Sequence, residues 1–419
     1  MVKEDLEPKT SEEGEITPAE EAVKPNKVKK VRKQGNTANR IYRIIGEVDR
    51  PLLIVIIALV CIGSVMVFSA SYAVGEQRYG DSYFFARKQI IFVLAGIVIM
   101  AIVARIDYRY IKRFAYLGYF IALVFNFAVR WFGETKNGAT RWFNFLGLEF
   151  QPSELLKFFL VLSMATYISD HLADIRSLRK GILPLLLLAA PAALSTLLQN
   201  HASATIIILL LMLMMIWISG TKWIYLAAAG GTLATVGAFF LTIGRGITEK
   251  LVPQVFTRLE IWEHPENYMT AQSGGKGWQP MQSLYAISSG GFWGLGLGQS
   301  NQKHGYLPEP QNDYIFAILC EELGFFGVLC VKTLFAVFAY RGYHIAQNAP
   351  NRFCSLVAMG ITLQVVLQVI LNLAVVTNSF PSTGISLPFF SYGGTSLVLL
   401  MVEMGVLLSI SRYSFTEQV

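Results

Sequence analysis

The sequence predicts an all-α integral membrane protein of about ten transmembrane helices, with one large extracytoplasmic loop between helices seven and eight. Three observations carry that expectation. Of the 419 residues, 53% are hydrophobic and only 15% are charged, too few charges to solvate a globule of this size. Residues 51–73, PLLIVIIALVCIGSVMVFSASYA, hold no charge at all and as a helix would extend about 34 Å, enough for a hydrocarbon core of about 30 Å. Similar apolar runs then recur to the end of the chain.

Before the first run, residues 1–22 are rich in Glu and residues 24–43 in Lys and Arg, without hydrophobic periodicity. Residues 1–44 therefore read as a disordered tail, acidic then basic. The charged region is long and the first apolar run is long enough to remain as an anchor, so this is no cleavable signal peptide. The block KPNKVKKVRK suits either anionic head groups or a plain topology signal.

Further apolar runs fall near 89–104, 114–129, 155–169, 182–198, 204–219, 223–243, 315–340, 354–378 and 393–411. The shorter ones need flanking aromatic and snorkelling residues to reach across a bilayer. Arg105, Arg109, Lys112 and Arg113 follow the second run, Arg176, Arg179 and Lys180 the fourth, Lys222 the sixth, and Arg341 and Arg352 bracket the loop after the eighth. An excess of Lys and Arg marks cytoplasmic loops, which places both termini inside and the stretch 244–314 outside. The net charge of +7 is thus topology rather than a nucleic-acid surface. Cys61, Cys320, Cys330 and Cys354 lie in or beside apolar runs without CxxC spacing, and read as small core residues. From Phe353 to Val402 there is no charge, yet FPSTGISLPFFSYGGTS, residues 380–396, interrupts the run with prolines and glycines. Backbone that irregular is tolerated at membrane depth only against protein or a water-filled cavity, so it reads as a pocket wall.

Two further polar clusters share the outer side. NGATRWFNFLGLEFQPSELLKFF, residues 137–159, carries Glu154 and Lys157 into a helix at a spacing of three, either as a functional pair or as an ion pair locking two helices. QSLYAISSGGFWGLGLGQSNQKHGYLPEPQNDYIFAILCEELGFFG, residues 282–327, sets Lys303, Glu309, Asp313, Glu321 and Glu322 beside glycines at a helix entrance.

These strings closely resemble the SEDS family (shape, elongation, division, sporulation), the FtsW, RodA and SpoVE proteins. The shared patterns are NGAxRW with QPSExxK, QSLxAIxSGGxxGxGLGxSxQK followed by PExxxDxIFAxxxEELG, and LPFxSYGGTS, across residues 137–396 of a domain expected over 45–415. The VMVFSAS of the first run looks more like FtsW than RodA. The resemblance implies a peptidoglycan glycosyltransferase that polymerises glycan strands from lipid II, with undecaprenyl diphosphate as leaving group. It also implies a class B penicillin-binding protein as transpeptidase partner, among other divisome or elongasome proteins of the bacterial plasma membrane.

Such chemistry needs a base for the acceptor hydroxyl and positive charge for the departing diphosphate. Arg141, Lys157, Arg258 and Lys303 are the candidate cations, and Glu154, Gln282, Ser283, Glu309, Asp313 and Ser391 complete the candidate substrate-binding set. No His or Cys spacing argues for zinc; Mg²⁺ or Mn²⁺ would use carboxylates and diphosphate oxygens and leave little trace in sequence. His201, in LQNHASAT, reads as a satisfied polar residue at a helix start. For the base, the resemblance implies an Asp in a DPxGxGY-type segment. Gly275, Gly277 and Trp278 match its end, which puts Gln272 at the acidic position. Glu266 in WEHPE is then the first candidate and Glu263 the second, against the bland reading of solvated loop carboxylates. Two other functions fit the same residues: a flippase for the lipid-linked precursor, and a non-catalytic scaffold that has lost its loop acid.

Overall fold

A computed structural model describes residues 46–136, 139–145, 148–242, 253–269 and 277–413. The expected tail and Gln272 lie outside the described residues. Each of the ten apolar runs coincides with a helix: α1 (Arg50–Tyr79), α2 (Phe84–Val103), α3 (Tyr108–Phe132), α4 (Pro152–Asp170), α5 (Leu183–Leu198), α6 (Ala202–Ile218), α7 (Trp223–Thr242) and, beyond the loop region, α10 (Ile315–Gln347), α11 (Arg352–Val376) and α12 (Gly394–Ser411). Two shorter helices, α8 (Pro253–Glu263) and α9 (Trp278–Ser289), occupy the loop.

Among the described residues, seven helices are long and apolar enough to cross a membrane: α1, α2, α3, α5 with its leading π-turn, α10, α11 and α12. Of the other three, α4 carries Glu154, Lys157 and Asp170, α6 has only 17 residues, and α7 is not among the seven. Large apolar side chains such as Ile91, Phe120 and Leu187 are more than 60% exposed. Outward-facing oil on long helices is what a lipid solvent permits, and this is a multi-pass membrane protein.

Helix α1 shows how local chemistry sets the boundaries. Asp49 caps it, accepting from the Leu52 amide at 2.8 Å; Pro51 fills the first turn, where no amide is needed; Gly80 ends it in the left-handed region, φ 64°. The same Asp49 takes an ion pair from Arg341 of α10 and its amide donates to Ser411 of α12, so one cap ties three helices. Packing joins α2 to α12, α3 to α4, and α10 to both α1 and α11. Leu52, Ile56, Leu160, Ile318, Val357 and Met404 are fully buried within a single apolar core.

The all-α expectation needs one addition. Between α3 and α4, β1 (Glu134–Lys136), β2 (Ala139–Phe145) and β3 (Leu148–Phe150) form an antiparallel sheet in the order β1-β2-β3. Along β2 the side chains alternate: Arg141 and Phe143 are buried while Asn144 is exposed, the period of a strand with one covered face.

The eighth long helix is broken. At Gly324 the backbone leaves the helical region, φ 62° and ψ −166°, and a Cβ there would sit 2.2 Å from the Gly294 nitrogen. The freed groups are paired with the glycine-rich segment. Leu295 and Gly296 amides donate to the carbonyls of Glu321 and Glu322, and Phe325 and Phe326 amides donate to Gly291 and Phe292. No other residue permits that approach, and the break keeps its hydrogen bonds.

Candidate active site

A cavity of about 1440 Å³ opens on the face that carries the β-sheet, α8 and the segment before α10. It gathers Arg141, Arg258, Asp313, Lys157, Glu154 and Glu403 from β2, α8, the α10 entrance, α4 and α12. The interrupted segment 380–393 forms one wall, as its irregular backbone predicts.

Asp313 is held by its own backbone. The Asn372 amide of α11 donates to the Asp313 carbonyl at 2.8 Å and to the Ile385 carbonyl at 2.6 Å. Ser391 Oγ donates to the Asn312 carbonyl at 2.8 Å while accepting from the Leu387 amide, and the Tyr392 amide donates to Gln311. Gly384, at φ 69°, passes so close that a Cβ would lie 3.1 Å from Asp313 Oδ2. Ser391, an expected substrate ligand, thus lines the cavity and also fixes the loop that presents Asp313.

Two arginines share the cavity with that carboxylate and act on it electrostatically. Arg141 is only 7% exposed; its guanidinium donates to the Asn200 carbonyl, and its Nε has no hydrogen-bond partner among the described residues. Arg258 reaches the Thr383 carbonyl at 3.5 Å, and Trp262, one turn on, anchors α8 through the Asn378 carbonyl at 2.9 Å. Neither arginine makes a salt bridge to a carboxylate among the described residues. Burial raises the Asp313 carboxyl above the ordinary carboxylate range; Arg141 and Arg258 oppose that rise and Glu309 adds to it. Burial, with repulsion from Arg258, lowers Arg141 to about 10 despite Asp313, and it stays charged at neutral pH. Burial also holds the His201 imidazole well below its usual value, helped by Arg141, Lys157 and Arg258. His201, beside Ser153 at 3.4 Å, is therefore a neutral cavity group rather than a titrating one.

Deeper in the cavity Lys157, 1% exposed, pairs with Glu154 at 2.9 Å. Glu309 lines the rim, paired with Arg78 and accepting from Gln311 and Asn312 at 3.0 and 3.2 Å. Glu403 and its partner Gln364, absent from the sequence-based candidates, also line the cavity. The available signal was one acid in the last apolar run, 393–411.

Other expected residues lie elsewhere. Lys303 is not on the cavity wall; it is wholly buried in an ion pair with Glu322 at 2.7 Å, over the Tyr72 ring. Ser283 donates to the Val376 carbonyl at 2.7 Å, and Gln282 is buried beside it on α9, both off the cavity lining. Glu263 and Glu266 are exposed and absent from the lining; Glu266, on a 3₁₀ turn at Pro265–Tyr268, faces His264 at 3.3 Å. No three His, Cys, Asp or Glu side chains among the described residues are placed to hold a metal ion. A hard cation such as Mg²⁺ or Mn²⁺ would therefore draw most of its ligands from diphosphate oxygens and water.

A family model described as "Cell cycle protein", that of FtsW, RodA and SpoVE, matches residues 50–416. The chain is a SEDS protein. It is 36% identical to stage V sporulation protein E of Bacillus subtilis over 372 residues, covering 87% of this chain and 97% of that one. It is 34% identical to a protein of Trichlorobacter lovleyi named "Probable peptidoglycan glycosyltransferase FtsW", covering 88% and 94%. A chain solved in a study of polymerization and crosslinking by a peptidoglycan synthase complex shares the fold, with a TM-score of 0.71 at 23% identity over 88% of this chain and 99% of that one. The SEDS fold thus holds the sheet, α8 and the α10 entrance around one cavity.

Proposed function

We propose that this SEDS protein is a peptidoglycan glycosyltransferase that extends glycan strands from lipid II, with Asp313 as the general base. The observation that carries this is a half-buried cavity carboxylate, raised in pKa and acted on by two arginines that make no salt bridge to a carboxylate among the described residues. Asp313 takes the proton from the attacking sugar hydroxyl as the new glycosidic bond forms. The bond from sugar carbon to diphosphate oxygen breaks, and its electron pair leaves with the diphosphate. Arg141 and Arg258 stabilise that developing charge in a site of low dielectric.

The name of the Trichlorobacter lovleyi relative supports the reaction class. The study of a synthase complex that both polymerises and crosslinks supports a transpeptidase partner of the class B penicillin-binding type. The charge pattern of the loops supports cytoplasmic termini and an extracytoplasmic cavity mouth in a bacterial plasma membrane.

Polymerisation of lipid II by the purified protein tests the assignment. Asp313→Asn abolishes product while Glu266→Gln and Glu263→Gln retain it. The reverse pattern returns the base to the α8–α9 loop and removes the cavity reading.

A further inference from the structure

Glu403 lies midway along α12, 3% exposed, in the wall of the cavity. Its Oε1 accepts from Gln364 Nε2 of α11 at 2.7 Å. The other carboxylate oxygen, Oε2, and the amide oxygen of the same Gln364 are both buried, and neither has a partner among the described residues. Two leftover acceptors on one bonded pair cannot satisfy each other, and leaving such groups unmade in a buried site is strongly unfavourable. One proton removes both defects. With Oε2 protonated, the acid O–H donates to the Gln364 carbonyl while the amide N–H keeps donating to Oε1, closing a two-bond acid–amide ring. Turning the amide over changes nothing, because its oxygen would then face Oε1 and need a proton between them.

A metal cation is the poorer occupant. Two oxygens are few for a hard ion, and Lys157 is close enough to act on Glu403 electrostatically. The charged groups facing Glu403 are Lys157 and Glu154 of α4; α11 presents only the uncharged Gln364 and Gln368. On α2, which packs along α12, the charged residues are Arg87 and Lys88 in its first turns. Gly394 abuts Phe92 and Gly405 abuts Val103, so these two sit well toward the cavity mouth. Glu149 of β3 lies at that end too, its carbonyl taking a hydrogen bond from Thr395.

We propose that Glu403 is a proton-binding site, a neutral carboxylic acid shared with the Gln364 amide, and that its proton lets the cavity floor accept an anionic substrate. With the proton, Lys157, Glu154 and Glu403 sum to zero charge; without it they sum to a net negative charge beneath the two arginines. The second half of the proposal rests on the polymerase reading, and the first does not.

The test uses the full-length protein in lipid nanodiscs, by infrared difference spectroscopy and by titration with inorganic diphosphate. At neutral pH the wild type shows a protonated-carboxyl stretch that Glu403→Gln removes and Gln364→Leu shifts, so the assignment survives if either variant fails to fold. As pH is raised the band converts to a carboxylate stretch, and diphosphate binds about tenfold more weakly in the wild type relative to Glu403→Gln, the order of effect of one added charge in the cavity wall at intermediate dielectric. A carboxylate stretch at neutral pH overturns the proton site. Superimposable diphosphate–pH profiles for wild type and Glu403→Gln overturn its role in substrate binding. A protein that shows the band yet makes no polymer refutes the polymerase reading alone.

Discussion

Removing the Lys303 ammonium by Lys303→Met is expected to destabilise the protein by about 3–5 kcal/mol, because it strands a buried charge. Both partners of the ion pair are fully buried, 2.7 Å apart. After the substitution Glu322 keeps only hydrogen bonds from Ser69 at 2.6 and 2.8 Å and a long one from the Ser300 amide at 3.4 Å. Those donors do not offset a full negative charge at low dielectric. Glu322→Gln strands the ammonium instead, with the Ser69 hydroxyl at 3.4 Å and the Tyr72 ring face at 4.8 Å, and is expected to cost a comparable amount. The double substitution leaves no stranded charge, so it is expected to cost less than either single, with a coupling energy of about 2 kcal/mol or more. Denaturant titration in mixed micelles, followed by tryptophan fluorescence, measures all four proteins. Additive costs would refute the ion-pair account. So would a Lys303→Met protein of full stability and lost activity, which would restore Lys303 to the substrate.

Asp313→Asn is expected to lower polymerisation by at least about 10²-fold, the usual worth of a general base, with lipid II binding retained. The Asp313 carboxyl is raised in the folded protein, so its contribution to stability is present below the unfolded carboxylate range and lost as pH rises through the folded value. Asp313→Asn is therefore expected to unfold later than the wild type at neutral pH, with the difference closing as pH falls. For the same reason the acid limb of the wild-type rate profile lies above the ordinary carboxylate range. Arg258→Met and Arg141→Met are each expected to reduce kcat by about 10²-fold, as loss of a charge that stabilises the transition state does; a pure KM effect would assign them to substrate binding alone. Gly324→Ala is expected to abolish accumulation of folded protein, since the new Cβ meets backbone at 2.2 Å in a left-handed conformation; expression at the wild-type level with full activity would remove the break from the account.

Helix positions were legible because apolar runs report burial in lipid or core directly. What pairs with what was not. Lys303 reads as a substrate cation in the sequence because nothing there shows that the glycine-rich segment before it folds back on α10 and sets it against Glu322. Glu266 is a candidate by its place along the loop, whereas its surroundings depend on a 3₁₀ turn that sets it, exposed, against His264 and outside the cavity lining. Asp313 stood in the candidate set, but its rank over other acids comes from α11 and the 380–393 segment clamping its backbone, contacts that link residues 59 or more positions apart. The sheet of 134–150 was hidden by its shortness, although the buried and exposed alternation from Arg141 to Asn144 is strand-like once seen.

The break at Gly324 has a mechanical side. An unsupported gap in a helix is a joint, free to bend. Here segment 291–296 bridges the gap, bonded to Glu321 and Glu322 on one side and to Phe325 and Phe326 on the other, as a splint bridges a fracture. The 33 residues of α10, about 50 Å end to end as a straight rod, therefore transmit a tilt across the gap instead of absorbing it. A tilt imposed at the Gln347 end would thus be felt at Ile315, beside the Asp313 backbone that α11 and the 380–393 segment hold in place.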